Sequence, residues 1–168
     1  LDTEPGEYPR RMDFILSITC NLQCAMCDGE LSSSIRIHRE KRPPMPPAYG
    51  DAFFEELREF LPHLERSVFL GGEPLLSPHL PALVEEVKTL GMRAAIVTNG
   101  FLVPQRLDLV RRLDEVVISL DGREAAHDLQ RGTGAWRKVM AAVEACAEIG
   151  VDFFLSAVVT RHSMGEVD

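Results

Sequence analysis

The stretch Phe14-Ile-Leu-Ser-Ile-Thr-Cys20-Asn-Leu-Gln-Cys24-Ala-Met-Cys27 joins an apolar run directly to three cysteines in a CxxxCxxC array. The apolar run, taken as residues 13–19, has the composition of a buried β-strand. No fourth cysteine follows in the same loop. Three thiolates leave one coordination position of a metal centre for a group that the protein does not supply, which is a property of reactive centres.

The composition of the chain is that of an ordinary globular protein. It has 168 residues, of which 45% are hydrophobic, and a net charge of -8. This length and hydrophobic content are sufficient for one domain with a core. Lysine and arginine are interspersed with acidic residues, so a nucleic-acid partner is not indicated. The apolar runs are far shorter than the roughly 20 residues that cross a bilayer, and no leader precedes them. We therefore expect a cytoplasmic protein without a membrane partner.

The four cysteines favour metal binding over disulfide bonds. Three lie close together and Cys146 lies alone in a helical pattern, which is a poor framework for cross-linking. The chain begins with Leu1 and stops at Asp168, in what looks like a new helix. We expect an excerpt of a longer protein, with a lead-in at residues 1–12 and one domain, incomplete at its C-terminus, at residues 13–168.

Apolar runs alternate with helical patterns along the chain, which predicts an α/β fold with parallel strands and helical crossovers. The nearly continuous apolar content of the runs predicts strands buried on both faces. Strands are predicted over residues 13–19, 67–70, 93–97, 115–120 and 152–159. Helices are predicted over residues 53–64, 78–90 (capped by Ser77), 104–112 and 136–148, and a long loop over residues 29–47.

Each predicted strand is followed by glycines or polar residues. The carboxyl ends of parallel strands share one edge, where α/β proteins bind ligands, so these segments are expected to converge on one site. The segments are Cys20, Gly71-Gly-Glu-Pro74, Thr98-Asn-Gly100, Ser119 with Asp121-Gly122, and Thr160-Arg161. The two glycines before Glu73 would let a ligand approach the backbone, and the Glu73 carboxylate can accept hydrogen bonds from a ligand amine.

Taken alone, each of these segments also has a purely structural interpretation. The three cysteines could bind zinc with His38 as the fourth ligand in a non-catalytic α/β binding domain, although structural zinc requires a closed tetrahedral set. The glycine pair and residues 98–100 could be simple turns. The remaining candidates could be caps, turn residues or surface charges, namely Ser119, Asp121 and Arg131.

Several conspicuous side chains are predicted to have no role in the site. Cys146 is expected to be a core thiol because it lies near the inward side of its helical pattern. Four histidines lie near the ends of elements without ligand spacing, so we expect them to face the solvent, namely His63, His79, His127 and His162.

Taken together and in this order, the motifs resemble those of radical S-adenosylmethionine (radical SAM) enzymes. The resemblance covers roughly residues 12–165 and depends on the order and strand context of the motifs. It implies a partial (β/α) barrel truncated to about five parallel strands. It also implies cleavage of S-adenosylmethionine, dependent on a [4Fe-4S] cluster, to a 5′-deoxyadenosyl radical that abstracts hydrogen from an unidentified substrate. That chemistry belongs to the cofactors, so no protein acid or base is assigned.

The resemblance further implies roles for individual residues. Cys20, Cys24 and Cys27 would each ligate one iron, and S-adenosylmethionine would chelate the fourth. The other implied cofactor contacts are Met26 near the adenine; Gly71, Gly72, Glu73 and Pro74 at the methionine amine; Thr98 and Asn99 at the pocket floor; Ser119 and Asp121 near the ribose or methionine; Arg131 at the carboxylate; and Val158 or Val159 at the adenine.

The fourth motif is similar to one branch of this family. Ser119-Leu-Asp-Gly122 followed by His127-Asp-Leu-Gln-Arg-Gly132 resembles members that carry a C-terminal SPASM/twitch extension for additional clusters, and these 168 residues contain no such extension. The implied partners are an external one-electron reductant and a substrate that is either a peptide or a small molecule.

Overall fold

The computed structural model describes residues 8–46, 49–161 and 163–166. In these ranges five strands form one sheet in the order β1-β2-β3-β4-β5, with every neighbouring pair parallel. This confirms the predicted five parallel strands. They are β1 (Arg11–Ile15), β2 (Arg66–Leu70), β3 (Arg93–Thr98), β4 (Glu115–Ser119) and β5 (Phe153–Ser156).

Helices connect the strands, as the alternating pattern predicts. They are α1 (Asp51–Phe60), α2 (Leu80–Thr89), α3 (Leu107–Val110), α4 (Glu124–Arg131) and α5 (Ala135–Ile149). Several details differ from the prediction. The helix α4 is not predicted, and α1 and α3 end at Phe60 and Val110, before the predicted ends at residues 64 and 112. The α2 helix begins at Leu80 instead of residue 78, because the Ser77 hydroxyl accepts the His79 amide in a turn that precedes the helix. The predicted loop after the cysteines contains a π-helical turn, Ile35–Arg39.

No helix in the described part of the chain is long and apolar enough to cross a bilayer.

The first and last strands are shorter than predicted, for a reason that concerns the site. Beyond Ile15 only the Leu16 amide continues the ladder, by donating to the Leu70 carbonyl, and residues 17–19 then leave the sheet. Beyond Ser156 the Val158 amide donates to the Asp121 carboxylate instead of to a strand. The segments that follow both strands are therefore bonded to residues at the carboxyl edge of the sheet, Val158 to Asp121 and the Thr19 carbonyl to the Glu73 amide.

The core forms where β2, β3 and β4 pack against the helices. Fully buried members include Phe69, Ile96 and Ile118 of the strands, Val84 of α2 and Cys146 of α5. The burial of Cys146 confirms its prediction as a core thiol. The prediction of strands buried on both faces is wrong for the edge strands β1 and β5, because only Phe14 is buried in β1 and because Phe154 and Leu155 of β5 are more than half exposed.

Asp128 joins the last two helices. Its carboxylate accepts hydrogen bonds from the amides of Gly134 (2.6 Å) and Trp136 (2.8 Å) at the start of α5. It therefore acts as a cap supplied from the preceding helix, since the first amides of a helix have no partner within it. These two bonds lower the pKa of Asp128. The turn between α4 and α5 is held in place by this contact.

Candidate functional site

The residues predicted for the site all lie at the carboxyl edge of the sheet or on the segments that follow it. The three cysteines occupy residues 20–27, here called the cysteine loop, which follows β1. Gly71 to Pro74 follow β2, Thr98 ends β3 and Asn99 follows it, Ser119 ends β4, Asp121 follows it, and Arg131 ends α4. The sheet topology therefore brings the segments to one edge, as predicted.

The two glycines after β2 accommodate the approach to the cysteine loop. Both have positive φ, and a Cβ atom at Gly72 would lie 2.3 Å from the Thr19 carbonyl oxygen. The same carbonyl accepts the Glu73 amide at 2.7 Å. The expectation that the glycines leave room for a ligand is thus incomplete, because the space beside them is filled by residues 17–19 of the chain itself.

We expect Gly72→Ala to destabilise the fold by at least about 2 kcal/mol, because alanine is strained at this φ and its methyl group meets backbone. Gly91→Ala is the matched control, since Gly91 also has positive φ but has open space around its Cβ position. It should cost about 1 kcal/mol. Urea unfolding of both variants measures the difference. Equal costs would show that the contact with Thr19 is not tight.

The Glu73 side chain connects the ends of β2 and β3. It is fully buried, and its carboxylate accepts hydrogen bonds from the Leu75 amide (3.1 Å), the Thr98 hydroxyl (2.8 Å) and the Asn99 amide (2.8 Å). Burial raises the pKa of Glu73, and the bonds from Asn99, Thr98 and Leu75 oppose that change. Protein donors thus already surround the carboxylate that the sequence assigns to a ligand amine.

Asn99 connects β3 to the cysteine loop. Its side-chain amide donates to the Asn21 side-chain oxygen at 2.8 Å, and its own oxygen accepts the Phe101 amide at 3.0 Å. Sequence reasoning missed Asn21 as a site residue. Its position between the first two cysteines was the available signal.

The segment after the cysteines folds back and holds the cysteine loop from the other side. The Ser33 amide donates to the Ile18 carbonyl (2.7 Å), and the Ser33 hydroxyl accepts the Cys20 amide (3.1 Å). Within this segment the buried Arg36 donates to the carbonyls of Pro43 and Gly29. These bonds order a segment that shows no apolar periodicity.

The last turn of α4 contacts the cysteine loop directly. The Ala25 amide donates to the Gln130 carbonyl at 2.7 Å. The neighbouring Arg131 pairs with the buried Asp121 through two hydrogen bonds of 2.5 and 3.0 Å. Arg131 is therefore a paired, nearly buried cation, and its interpretation as a surface charge is wrong.

The prediction that His127 faces the solvent is also wrong. His127 is fully buried in α4, and its Nδ1 atom accepts the Asp121 amide at 3.1 Å. Burial, and then the nearby charge of Arg131, lower the pKa of His127, so the ring is neutral. Of the other histidines, His63 and His79 are exposed as predicted, and His162 lies outside the described residues.

The three thiols have different electrostatic surroundings. Burial raises the pKa of Cys20. A hydrogen bond between Cys24 and Cys27 raises the pKa of Cys24 and lowers that of Cys27 to about 6, and the positive charges of Arg131 and Arg39 also favour the Cys27 thiolate. The thiolate is the form that binds metals. Two arginines therefore favour the ligand form at the end of the cysteine loop.

The donor set fits a cluster better than a single metal ion. All four cysteines are free thiols, and Cys20 and Cys27 are partly exposed. Across the described ranges, no three His, Cys, Asp or Glu side chains converge tightly enough to hold one ion, so the zinc set with the exposed His38 is not assembled. An iron–sulfur cluster binds each thiolate through a different iron and so takes ligands that are spread further apart.

Comparison with protein families and curated proteins identifies relatives of the chain. Residues 14–168 match the model of the Radical SAM superfamily. The chain is 34% identical over 172 residues to mycofactocin maturase MftC of Mycobacterium ulcerans (strain Agy99), covering 96% of the chain and 43% of that protein. It is 27% identical over 169 residues to the AdoMet-dependent heme synthase of Methanosarcina barkeri (strain Fusaro / DSM 804), covering 95% and 45%. The chain thus spans less than half the length of these relatives.

Solved structures share the fold. The chain superposes with a TM-score of 0.70 on native anSMEcpe with bound AdoMet, at 22% identity, covering 94% of this chain and 46% of that one. The TM-score is 0.74 with Streptococcus suis SuiB bound to S-adenosylmethionine, at 19% identity, covering 95% and 36%. These likenesses confirm the predicted partial (β/α) barrel.

Proposed function

Since the chain belongs to the radical SAM superfamily, we propose that its cysteine loop holds a [4Fe-4S] cluster and that the protein uses it to cleave S-adenosylmethionine. Enzymes of this superfamily use these two cofactors. When bound, the reduced cluster would supply one electron to the sulfonium of S-adenosylmethionine. One carbon–sulfur bond would then break and yield methionine and a 5′-deoxyadenosyl radical able to abstract hydrogen from a substrate. The names of the relatives include a maturase and a heme synthase, so the proposed activity is this shared first step.

One observation carries the proposal. The three-thiol loop is fixed to the carboxyl ends of β2 and β3, through Thr19 to Glu73 and through Asn21 to Asn99. The free coordination position of a three-thiolate cluster would therefore lie beside the same strand ends that supply the other conspicuous polar residues. Because an unguided radical reacts with whatever it meets, this fixed placement is what the chemistry requires of the protein.

Burial divides the proposed cofactor contacts into two groups. Met26 and Ser119 are partly exposed, so we assign them direct contact with S-adenosylmethionine, at the adenine and the ribose or methionine respectively. Glu73 and Asp121 are buried and hydrogen-bonded to protein donors. We assign to both mainly a positioning role. Glu73 positions the strand ends beside the methionine amine, and Asp121 positions Arg131, which is the proposed partner of the methionine carboxylate.

The remaining proposed contacts are backbone or neighbouring groups at the same edge, namely Gly71, Gly72 and Pro74 at the methionine amine and Thr98 and Asn99 at the floor of the pocket. An external one-electron reductant completes the proposal. We place the protein in the cytoplasm, because a reducing compartment keeps partly exposed thiols such as Cys20 and Cys27 free for metal.

Anaerobic reconstitution of the intact protein tests this function. We expect about four irons and four sulfides per chain. With dithionite and S-adenosylmethionine, we then expect 5′-deoxyadenosine, detected by chromatography and mass spectrometry. Tight binding of one zinc and no iron would refute the proposal, and so would a full cluster that never yields 5′-deoxyadenosine with any reductant.

A further inference from the structure

Two buried side chains of α4 have polar atoms without a partner. Gln130 is 2% exposed and His127 is fully buried. Within the described ranges, both amide atoms of Gln130 and the Nε2 atom of His127 make no hydrogen bond. Native proteins contain few such groups, because a buried donor or acceptor that has left water without finding a partner is costly. These atoms therefore indicate a polar partner that is not another part of the described chain.

The two side chains are neighbours and both offer donors. Residues three apart on a helix share one face, so Gln130 and His127 lie side by side. His127 accepts the Asp121 amide at Nδ1, and the neutral ring must then carry its hydrogen on Nε2. The unpartnered Nε2 atom of His127 is thus a donor, and the Gln130 amide nitrogen provides two more hydrogens, against the single unpartnered acceptor that is the Gln130 amide oxygen. A partner rich in acceptors fits this pair.

The position of Gln130 relates the pair to the cysteine loop. The Gln130 carbonyl accepts the amide of Ala25, the residue that follows Cys24. The next residue, Arg131, lies near enough for its charge to act on both Cys24 and Cys27. The turn of α4 that carries the unpartnered atoms is therefore the turn that contacts the cysteine loop.

We propose that Gln130, with His127 beside it, donates hydrogen bonds to the sulfur atoms of a cluster held by Cys20, Cys24 and Cys27. This inference rests on the proposed function above. Hydrogen bonds to cluster and thiolate sulfurs tune the reduction potential of iron–sulfur centres. Because reduction adds negative charge to the cluster, donors near its sulfurs stabilise the reduced form and raise the potential. Gln130 is a positioning and tuning residue in this view, and takes no part in the bond-breaking step.

Gln130→Leu tests the inference through two opposite effects. Leucine places an apolar side chain of similar size on α4 and removes the two unpartnered atoms of Gln130, so the metal-free variant should melt at least about 2 °C higher than wild type. In the reconstituted protein without S-adenosylmethionine, the ratio of reduced to oxidised cluster at a fixed solution potential should fall about fivefold. That change equals about 40 mV for a one-electron couple. Gln130→Met provides a second apolar variant with the same expectations.

Ser67→Ala is the matched control. It also replaces a fully buried polar residue by an apolar one, but Ser67 lies against Met92 near the amino end of β2, whereas the cysteine loop is bonded to the segment after the carboxyl end of that strand. The reduction potential of the cluster in Ser67→Ala should equal that in the wild-type protein.

Each outcome decides the inference. An unchanged potential in both Gln130 variants would overturn it and would assign the unpartnered atoms to buried water. A shift that appears only when S-adenosylmethionine is present would also overturn it, because the donors would then serve that ligand. Failure of the wild-type protein to bind any cluster would refute the proposed function as well, and is distinguished by the iron content.

Discussion

Replacing Cys24 with alanine is expected to abolish cluster assembly, with iron in the reconstituted protein falling from about four atoms per chain to nearly none. Cys24 is the buried central cysteine of the cysteine loop and is hydrogen-bonded to Cys27. Without it, only two thiolates would remain to hold a cluster that has no other protein ligand. Iron and sulfide analysis after anaerobic reconstitution measures the effect.

Cys146→Ala provides the matched control for that experiment. Cys146 is fully buried in α5 as part of the hydrophobic core, so its replacement should cost about 1 kcal/mol of stability. The variant should keep its full iron content, because the thiol lies in the core and not in the cysteine loop. Equal loss of iron in both variants would contradict the assignment of the ligands.

Replacing Glu73 with alanine is expected to destabilise the fold by about 3–5 kcal/mol, because it leaves several buried donors without an acceptor. Those donors are the amides of Leu75 and Asn99 and the hydroxyl of Thr98. Since the Glu73 carboxylate joins the ends of β2 and β3, the loss of these hydrogen bonds should also disturb the cysteine loop, which is bonded to both strand ends. Urea unfolding measures the stability loss, and iron content measures the effect on the loop.

Glu73→Gln separates the structural role from the charge. The amide keeps one oxygen acceptor and similar shape, so we expect a cost of only about 1–2 kcal/mol and full iron content. Binding of S-adenosylmethionine should nevertheless weaken if the carboxylate interacts with the methionine amine. If the two variants were equally unstable, the hydrogen bonds to Glu73 would not be the source of its effect.

The difference in stability between wild type and Glu73→Gln is expected to depend on pH. Burial raises the pKa of Glu73 above its ordinary value of 4.5, so the folded chain holds this proton more tightly than the unfolded chain. The stabilisation that comes from this raised pKa is fully present below the pKa of Glu73 in the unfolded chain. It is lost as the pH rises through the raised pKa of Glu73 in the folded chain. The stability of wild type relative to Glu73→Gln should therefore fall with rising pH in that window. A difference that does not change with pH would argue against a raised pKa.

The sheet and its site-bearing edge could be predicted because both depend on local patterns. Each strand is a short apolar run, and β3 is predicted to within one residue of its observed end. The motifs after the strands are placed correctly because a parallel sheet brings every carboxyl end to the same edge. The boundaries of β1 and β5 could not be predicted, since they depend on where Leu16 and Val158 find partners on other elements.

The buried polar residues of α4 were beyond sequence reasoning. Residues 124–131 read EAAHDLQR, in which Leu129 is the one large apolar residue, so the spacing of large apolar residues does not indicate a helix. Their burial comes from α5, which Asp128 caps, and from the cysteine loop, which contacts Gln130. The link between Asn21 and Asn99 also joins residues far apart in the chain. Contacts of this kind leave no trace in a local pattern.

The hydrogen bonds that hold the cysteine loop also determine when the loop can reach its folded conformation during synthesis. The loop leaves the ribosome early, yet its partners at Glu73, Asn99 and Gln130 follow much later, the last about 105 residues after Ala25. At roughly 5–20 residues per second, the thiols wait about 5–20 s for their final anchor. Oxidation or capture of a stray metal ion can intervene in that interval. Delivery of iron and sulfide is therefore best timed after translation has passed the end of α4.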